Sequence, residues 1–379
     1  MKKSYLFGMF ALAAMTMVGC SNDEVVNDYS QDNAIEFGTY VGRGVQSRGT
    51  VETTATVAEQ GFGVFAFYTD NGKYGEGSYT AFKPNFMKNE EVKGTEAGTD
   101  TEGNTTYTWT YSPVKYWPNE KTDYLSFLAY APYSEDYVLG TDNTISFNVA
   151  NDVTNQIDFL YCSNATSLKN LSKPSVDQKV KFQFDHALTR VGFKAKLMVD
   201  MVNPDGNGTT DDTDDDGQIA LGKETTVAIS QIKFGYIATG GKFNIETGTW
   251  SGQYQISTMN EYTLGADNLQ NNTEIESLST PNENINKDDS YLMLVPAAGQ
   301  LPCWVEVTYT VTTEDKKLDE GKSVVTNVIK STFTNQGILQ QGKAYNLVLH
   351  IGLTSVKVEA EVDEWDTVAD FEVNVPNNK

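Results

Sequence analysis

A dense acidic run, DTDDDGQI at residues 212–219, has the side chains that a cation site needs. Carboxylates at Asp212, Asp214 and Asp216, followed by a glycine for a tight turn, match the first half of a Ca²⁺-binding loop. The twelfth position, where such loops place a bidentate glutamate, is Lys223. The pattern favours an acidic hairpin loop, with a Ca²⁺ site as the alternative, and no other cofactor is expected.

Side chains that could carry catalysis are sparse. The sequence contains two histidines, His186 and His350, and 51 acidic residues that form many carboxylate pairs by chance. The sequence lacks the motifs of serine hydrolases, zinc proteases, phosphate-binding loops and dinucleotide-binding folds. We therefore expect no enzymatic activity. The net charge of −23 also disfavours binding to nucleic acid, because both molecules are negative.

Cys20 stands where a lipid could be attached. Residues 1–3 carry two lysines, residues 5–18 are apolar, and Gly19 directly precedes the cysteine. Residues 17–20 resemble the lipobox of bacterial lipoproteins, with Met17 where leucine is usual. Residues 1–19 are therefore predicted to be a lipoprotein signal peptide cleaved between Gly19 and Cys20. Several acyl chains on Cys20, such as palmitate, would anchor the chain stably, whereas one chain gives only marginal binding; an ordinary signal peptide is the alternative.

The segment after Cys20 indicates a tether followed by a strand. Residues 20–34 are acidic and polar, and SNDE at residues 21–24 resembles a sorting signal of surface lipoproteins in Gram-negative anaerobes. Residues 35–41 then alternate, with Ile35, Phe37 and Val41 on one face. A matching alternation comes near the end of the chain, at Phe371, Val373 and Val375.

The remaining elements are predicted to be strands. The chain contains 20 Tyr, 18 Phe and 5 Trp, which favour sheets. No run of ten or more residues has a clear helical period outside the N-terminus. Residues 49–60 are expected to lack regular structure, and residues 88–105 to form a solvated loop. The strongest strand patterns lie at residues 61–68, 106–111, 125–131, 145–149, 179–184, 191–197, 227–229, 232–234, 291–296, 304–309, 343–353 and 356–362.

Cys162 and Cys303 lie beside apolar residues, where a buried free thiol is the usual outcome. A disulfide between them is the alternative for an exported protein. Strands of this spacing predict tandem β-sandwiches, with an N-terminal domain over residues 35–188 and a C-terminal domain over residues 189–379.

Several short motifs, taken in order, resemble the fimbrillin family of type V pilins. They are the lipobox and the following segments: GFGVFAFY (61–68), YWP (116–118), FLAYAP (127–132), FDHALTRV (184–191), LVP (294–296), GKAY (342–345) and Trp365. The resemblance implies two transthyretin-like β-sandwich domains and export as a lipoprotein precursor. It also implies that an arginine-specific or trypsin-like protease removes the first strand, here after Arg48 or Arg43.

The family pattern further implies that a strand from another subunit fills the vacated groove. Residues 371–375 are the donor candidate, and residues 356–362 are the second candidate, which is expected instead to be an ordinary strand. The implied function is a structural or adhesive subunit of a fimbria on the cell surface, with other fimbrial subunits and the outer membrane as partners. The alternative is a monomeric surface lipoprotein that binds a glycan or a host protein. A role as an anchor or tip subunit of a fimbria would be intermediate between these two functions.

Overall fold

A computed structural model describes most of the chain between residues 33 and 364. The described residues are 33–41, 52–101, 103–174, 179–197, 225–252, 261–270, 274–275, 285–287, 290–296, 302–314, 320–334, 339–352 and 356–364. They are mainly β-strands, which confirms the all-β prediction. Among these residues, no helix has the length and apolar character that crossing a membrane requires.

The first half contains nine described strands and a short helix. The strands are β1 (Phe37–Val41), β2 (Phe62–Asp70), β3 (Met87–Thr99), β4 (Thr105–Thr110), β5 (Asp123–Ala131), β6 (Thr144–Asn148), β7 (Leu160–Cys162), β8 (Val180–His186) and β9 (Thr189–Leu197). Helix α1 spans Thr54–Gln60, and single 3₁₀ turns lie at Gly77–Tyr79, Val153–Asn155 and Ala165–Leu168. The predicted strands at residues 61–68, 106–111, 125–131, 145–149 and 179–184 are all confirmed.

The second half continues with strands. They are β10 (Thr225–Gly235), β11 (Gly240–Asn244), β12 (Thr249–Ser251), β13 (Glu261–Leu264), β14 (Glu274–Ile275), β15 (Leu292–Leu294), β16 (Pro302–Glu314), β17 (Lys322–Thr334), β18 (Lys343–Ile351) and β19 (Val356–Glu364). The two short patterns at residues 227–229 and 232–234 form one strand, β10, whose pairing with β16 shifts register between Ile229 and Gln231.

The described strands form four sheets. The largest has seven strands in the order β1-β8-β7-β5-β2-β3-β4, and a four-stranded sheet has the order β15-β9-β18-β19. A five-stranded sheet contains β13-β10-β16-β17 with β14 beside β10, and a three-stranded sheet contains β12-β11-β6. Among the described pairs, only β1–β8 and β9–β18 are parallel. Aromatic and branched side chains between the sheets form the core.

Two predictions for the first half were wrong. Part of the stretch expected to lack structure forms α1, which begins after Thr53: the Thr53 hydroxyl accepts from the Thr56 backbone N–H, and Thr56 returns a bond to Thr53. Val57 and Ala58 of α1 are buried, so packing rather than a long periodic pattern stabilises this helix. The stretch expected to be a solvated loop is largely β3, which is polar and mostly exposed but pairs with β4.

One sheet joins segments from both sides of residue 188. Strand β6 pairs with β11, so residues assigned to the two predicted domains share the three-stranded sheet. The contact is reinforced by ring pairs, with centroids 6.0 Å apart for Phe147–Trp250 and 5.7 Å for Phe159–Phe243. The division into domains 35–188 and 189–379 stays a prediction.

Candidate functional site

Strand β1 lies at one end of the seven-stranded sheet. It pairs in parallel with β8, from Phe37 opposite Val180 to Val41 opposite Phe184. Parallel neighbours cannot be joined by a tight hairpin, and β8 lies far along the chain from β1. The contact between β1 and its sheet is therefore entirely tertiary.

The start of β1 is also held on its other side. The backbone N–H of Ile35 donates to the Lys115 carbonyl over 2.9 Å, and that of Trp117 donates to the Asn33 carbonyl over 3.0 Å. The segment around residue 116 thus pairs with the residues that lead into β1, while β8 pairs with β1 itself. The first strand occupies a groove between these two backbone segments.

The apolar side chains on the inward face of β1, and that of Ile35 just before it, are buried. Ile35, Phe37 and Val41 are exposed by only 1%, 1% and 4%. The Phe37 ring lies 5.1 Å from Tyr111 and 5.5 Å from Phe182, measured between centroids. Further ring pairs join Phe37 to Phe62 and Phe127. Burying each such apolar side chain stabilises the fold by roughly 1.5–3 kcal/mol. These alternating positions are the face that the sequence predicts.

Side chains complete the backbone bonding of this segment. The Tyr111 hydroxyl donates to the Ile35 carbonyl over 2.9 Å and accepts from the Lys115 backbone N–H over 3.1 Å. Burial raises the pKa of Tyr111 to about 12, so this hydroxyl stays a donor at physiological pH. At the other end of β1, the Val41 N–H donates to the Thr54 hydroxyl over 3.3 Å. The sequence predicts a strand at residues 106–111, which includes Tyr111, but it does not predict this use of the Tyr111 hydroxyl.

One position in β1 is poorly satisfied. The hydroxyl oxygen of Thr39 is buried and has no hydrogen-bond partner among the described residues. A buried hydroxyl without a partner costs about 1–3 kcal/mol relative to a satisfied one. Strand β1 therefore combines the well-packed Phe37 with Thr39, whose unsatisfied hydroxyl weakens the attachment of the strand.

A buried polar cluster fixes the chain where it enters α1. The Glu52 backbone N–H donates to Asp158 Oδ2 over 3.0 Å, and His186 Nδ1 lies 2.8 Å from the same oxygen. The Thr56 hydroxyl donates to the Glu52 carboxylate over 2.6 Å. Burial raises the pKa of Glu52 to about 7. The Glu52 backbone is thereby held by Asp158, which precedes β7, and not by β1.

The two described cysteines are buried free thiols. Burial raises the pKa values of Cys162 and Cys303 to about 12. A thiol with so high a pKa is a poor nucleophile at neutral pH, so these cysteines serve as small apolar core groups.

The last described strand behaves differently from β1. Strand β19 pairs antiparallel with β18, from Ile351 opposite Val356 to Lys343 opposite Glu364, and Val356 and Val358 are buried. This confirms that residues 356–362 form an ordinary strand of the chain's own sheet.

The other predicted site residues lie outside the described residues. This holds for Gly19 and Cys20, for Arg43 and Arg48, for the donor candidates Phe371, Val373 and Val375, and for the acidic set Asp212, Asp214 and Asp216. Within the described part of the chain, no group of three or more His, Cys, Asp or Glu side chains is arranged to hold a metal ion. These predictions stay predictions.

Comparison with known proteins matches most of the chain. A family model described as fimbrillin-like matches residues 48–365. The fimbrium subunit Fim1C of Phocaeicola vulgatus is 25% identical, over 97% of this chain and 98% of that protein. The crystal structure of a fimbrial protein from Bacteroides vulgatus has a similar fold, with a TM-score of 0.61 and 20% identity over 88% of this chain and 99% of the other.

Proposed function

Because the chain belongs to the fimbrillin-like family, we propose that it is a structural or adhesive subunit of a cell-surface fimbria that exchanges its first strand during assembly. Its partners are other fimbrial subunits, identical or different, and adhesion would direct the polymer to a host protein or glycan. The lipid on Cys20 would hold the precursor on the outer membrane until processing.

The observation that carries this proposal is the attachment of β1. Its inward side chains lie in the core, yet its chain link to the rest of the fold runs through residues 42–51, which contain both Arg43 and Arg48. One cut in that segment would sever β1 from everything downstream. The polar cluster at Glu52 would keep the new N-terminal end in place, because its bonds go to Asp158 rather than to β1.

Loss of β1 would open a groove with two properties. The backbone of β8 would lose its bonds to β1, the carbonyl of Lys115 would lose its bond from Ile35, and the rings of Tyr111 and Phe182 would face water. An incoming strand can pair with the exposed backbone and cover the exposed rings, since backbone bonds supply affinity and alternate side chains set the register.

The spacing of the donor candidate fits that groove. Phe371, Val373 and Val375 repeat every second residue, as do Phe37, Thr39 and Val41. When the two sets are aligned end to end, Val373 takes the place of Thr39 whichever way the donor runs. A valine there would avoid the buried, partnerless hydroxyl of Thr39, which would favour the donor over the strand it replaces.

Limited proteolysis tests the proposal. Chain from residue 20 onward, with Cys20→Ser to prevent acylation, is treated briefly with trypsin and run on a gel without boiling. We expect a new N-terminus at Gly49 or Gly44 and a ladder of heat-sensitive multimers. A variant with Arg43→Gln and Arg48→Gln should stay monomeric. A stable monomer that keeps β1 after treatment would contradict strand exchange.

A further inference from the structure

A cavity of about 630 Å³ lies beside the start of β1. Its lining includes the apolar side chains of Trp117, Leu168, Leu171 and Val180 and two exposed lysines, Lys179 and Lys181. Its size is within the range of about 300–1,000 Å³ that is typical of ligand sites. The cavity thus offers an apolar floor next to positive charge.

Two polar side chains in its wall, Asn164 and Ser167, already make hydrogen bonds, to strand β8 and to their own loop respectively. Asn164 donates to the Lys181 carbonyl over 3.0 Å and accepts from the Gln183 backbone N–H over 3.0 Å. Ser167 donates to the Asn164 carbonyl over 2.7 Å. A sugar would need free donors and acceptors here, so the wall is better suited to apolar side chains that carry carboxylates beside them.

Residues 20–32, which precede β1 in the chain, have this composition. Residues 20–32 contain Val25, Val26 and Tyr29, four acidic residues and no lysine or arginine. Trp117, which lines the cavity, donates its backbone N–H to Asn33. Tyr29 is four residues earlier, within about 14 Å in extended chain. Lys179 already pairs over 3.2 Å with Glu36, which follows this stretch in the chain, so a rim lysine attracts a carboxylate close to it.

We propose that this cavity binds the chain's own acidic tether, with Tyr29 or the Val25–Val26 pair on the apolar floor and the carboxylates near Lys179 and Lys181. The tether would then reinforce β1 in the precursor and leave with it after processing. This inference rests on the proposed function for its purpose, but the contact itself precedes any cleavage.

Cysteine trapping in the uncleaved monomer tests the contact directly. In the Cys20→Ser chain, Tyr29→Cys is combined with Ser172→Cys at the cavity, or with Ser78→Cys at a remote exposed site as the matched control. We expect the cavity pair to form a disulfide roughly tenfold faster than the control pair, because docking raises the effective concentration. Equal rates for the two pairs would overturn the proposal.

Charge reversal separates docking from simple proximity. Lys179→Glu together with Lys181→Glu should remove most of that rate advantage, whereas Lys83→Glu, at an exposed lysine elsewhere, should not. A rate advantage that survives the reversal of both Lys179 and Lys181 would contradict a site built on these two lysines.

Hydrogen exchange then identifies the occupant. If residues 164–171 are protected only in multimers, a second copy fills the cavity and the tether assignment is wrong. Because the trapping rates are measured in the monomer, they remain valid even if multimers never form.

Discussion

Strands β1 and β19 both lie at the end of a sheet, yet they are held in different ways. Strand β19 pairs with β18, its neighbour along the chain, over nine residue pairs in antiparallel register. Strand β1 pairs with β8 over five residue pairs in parallel register, and its partner is distant in sequence. A cut beside β19 would leave it paired with its neighbour along the chain. A cut after β1, by contrast, removes the covalent link between β1 and every other strand.

Their burial makes the contrast sharper. Phe37 of β1 is only 1% exposed and contacts four other aromatic residues. The fold therefore depends on side chains from a strand that one cleavage would detach. This combination distinguishes a replaceable strand from a frayed end, because a frayed end contributes little to the core.

The largest expected effect comes from the core ring of β1. Phe37→Ala should lower the free energy of unfolding by about 3–5 kcal/mol, because it removes a buried aromatic side chain. Urea unfolding of the uncleaved chain measures this change. Hydrogen exchange should show β1 and β8 opening first in this variant, whereas Val358→Ala in β19 should not open them. Equal protection of β1 in both variants would remove the contrast between the strands.

The cluster that retains the chain after β1 should respond to pH. Burial raises the pKa of Glu52 from 4.5 to about 7, so the folded state binds this proton more tightly than the unfolded state. Stability contributed by the protonated form is therefore present below pH 4.5 and lost as pH rises to about 7, by on the order of 3 kcal/mol.

Glu52→Gln should remove that dependence and be more stable than the wild type at pH 8. Glu59→Gln, at an exposed position of helix α1, which follows Glu52, serves as the matched control and should change neither. Thermal unfolding at pH 5 and pH 8 measures the difference. If the Glu52 variant keeps the wild-type slope, another group is responsible for it.

The partnerless hydroxyl in β1 gives a smaller effect of opposite sign. Thr39→Val should stabilise the uncleaved chain by about 1–3 kcal/mol, because it replaces a buried hydroxyl by an apolar group of similar shape. It should also slow multimer formation after trypsin, since the leaving strand would match the donor. Chemical denaturation and gel kinetics measure the two effects. A destabilised variant would mean that the hydroxyl has a partner.

The smallest effect is expected at the surface of β1. Lys179→Ala removes the exposed ion pair with Glu36 and should cost about 0–1 kcal/mol, because solvent screens such pairs. Its effect should shrink further in high salt. A larger loss that persists in high salt would show that Lys179 holds β1 by contacts other than charge.

Much of the fold could be predicted from local pattern. The aromatic run of β2 and the alternation of Val180, Phe182 and Phe184 in β8 identify buried strands directly. Strand β3 escaped prediction because its exposed half contains two glycines and no large apolar residue, and it is a strand through pairing with β2 and β4. Helix α1 escaped because seven residues carry too little periodicity.

The site itself was predictable only in part. The alternation of Ile35, Phe37 and Val41 indicates a buried face, but no local signal gives the parallel pairing with β8. The roles of the Tyr111 hydroxyl and of Asp158 likewise depend on contacts between distant segments. Tertiary proximity of this kind cannot be read from spacing in a single sequence.

Strand replacement can be measured most directly with a synthetic donor. The protein is the Cys20→Ser chain that also carries Phe371→Asp and Val373→Asp, which disable its own donor strand. A fluorescent peptide of residues 369–379 is added to this protein before and after trypsin treatment. Binding is followed by fluorescence anisotropy. We predict that the peptide binds the cleaved protein and not the uncleaved one, and that a peptide with the same two substitutions binds neither. Binding that is equal before and after loss of β1, or absent in both, would contradict the account.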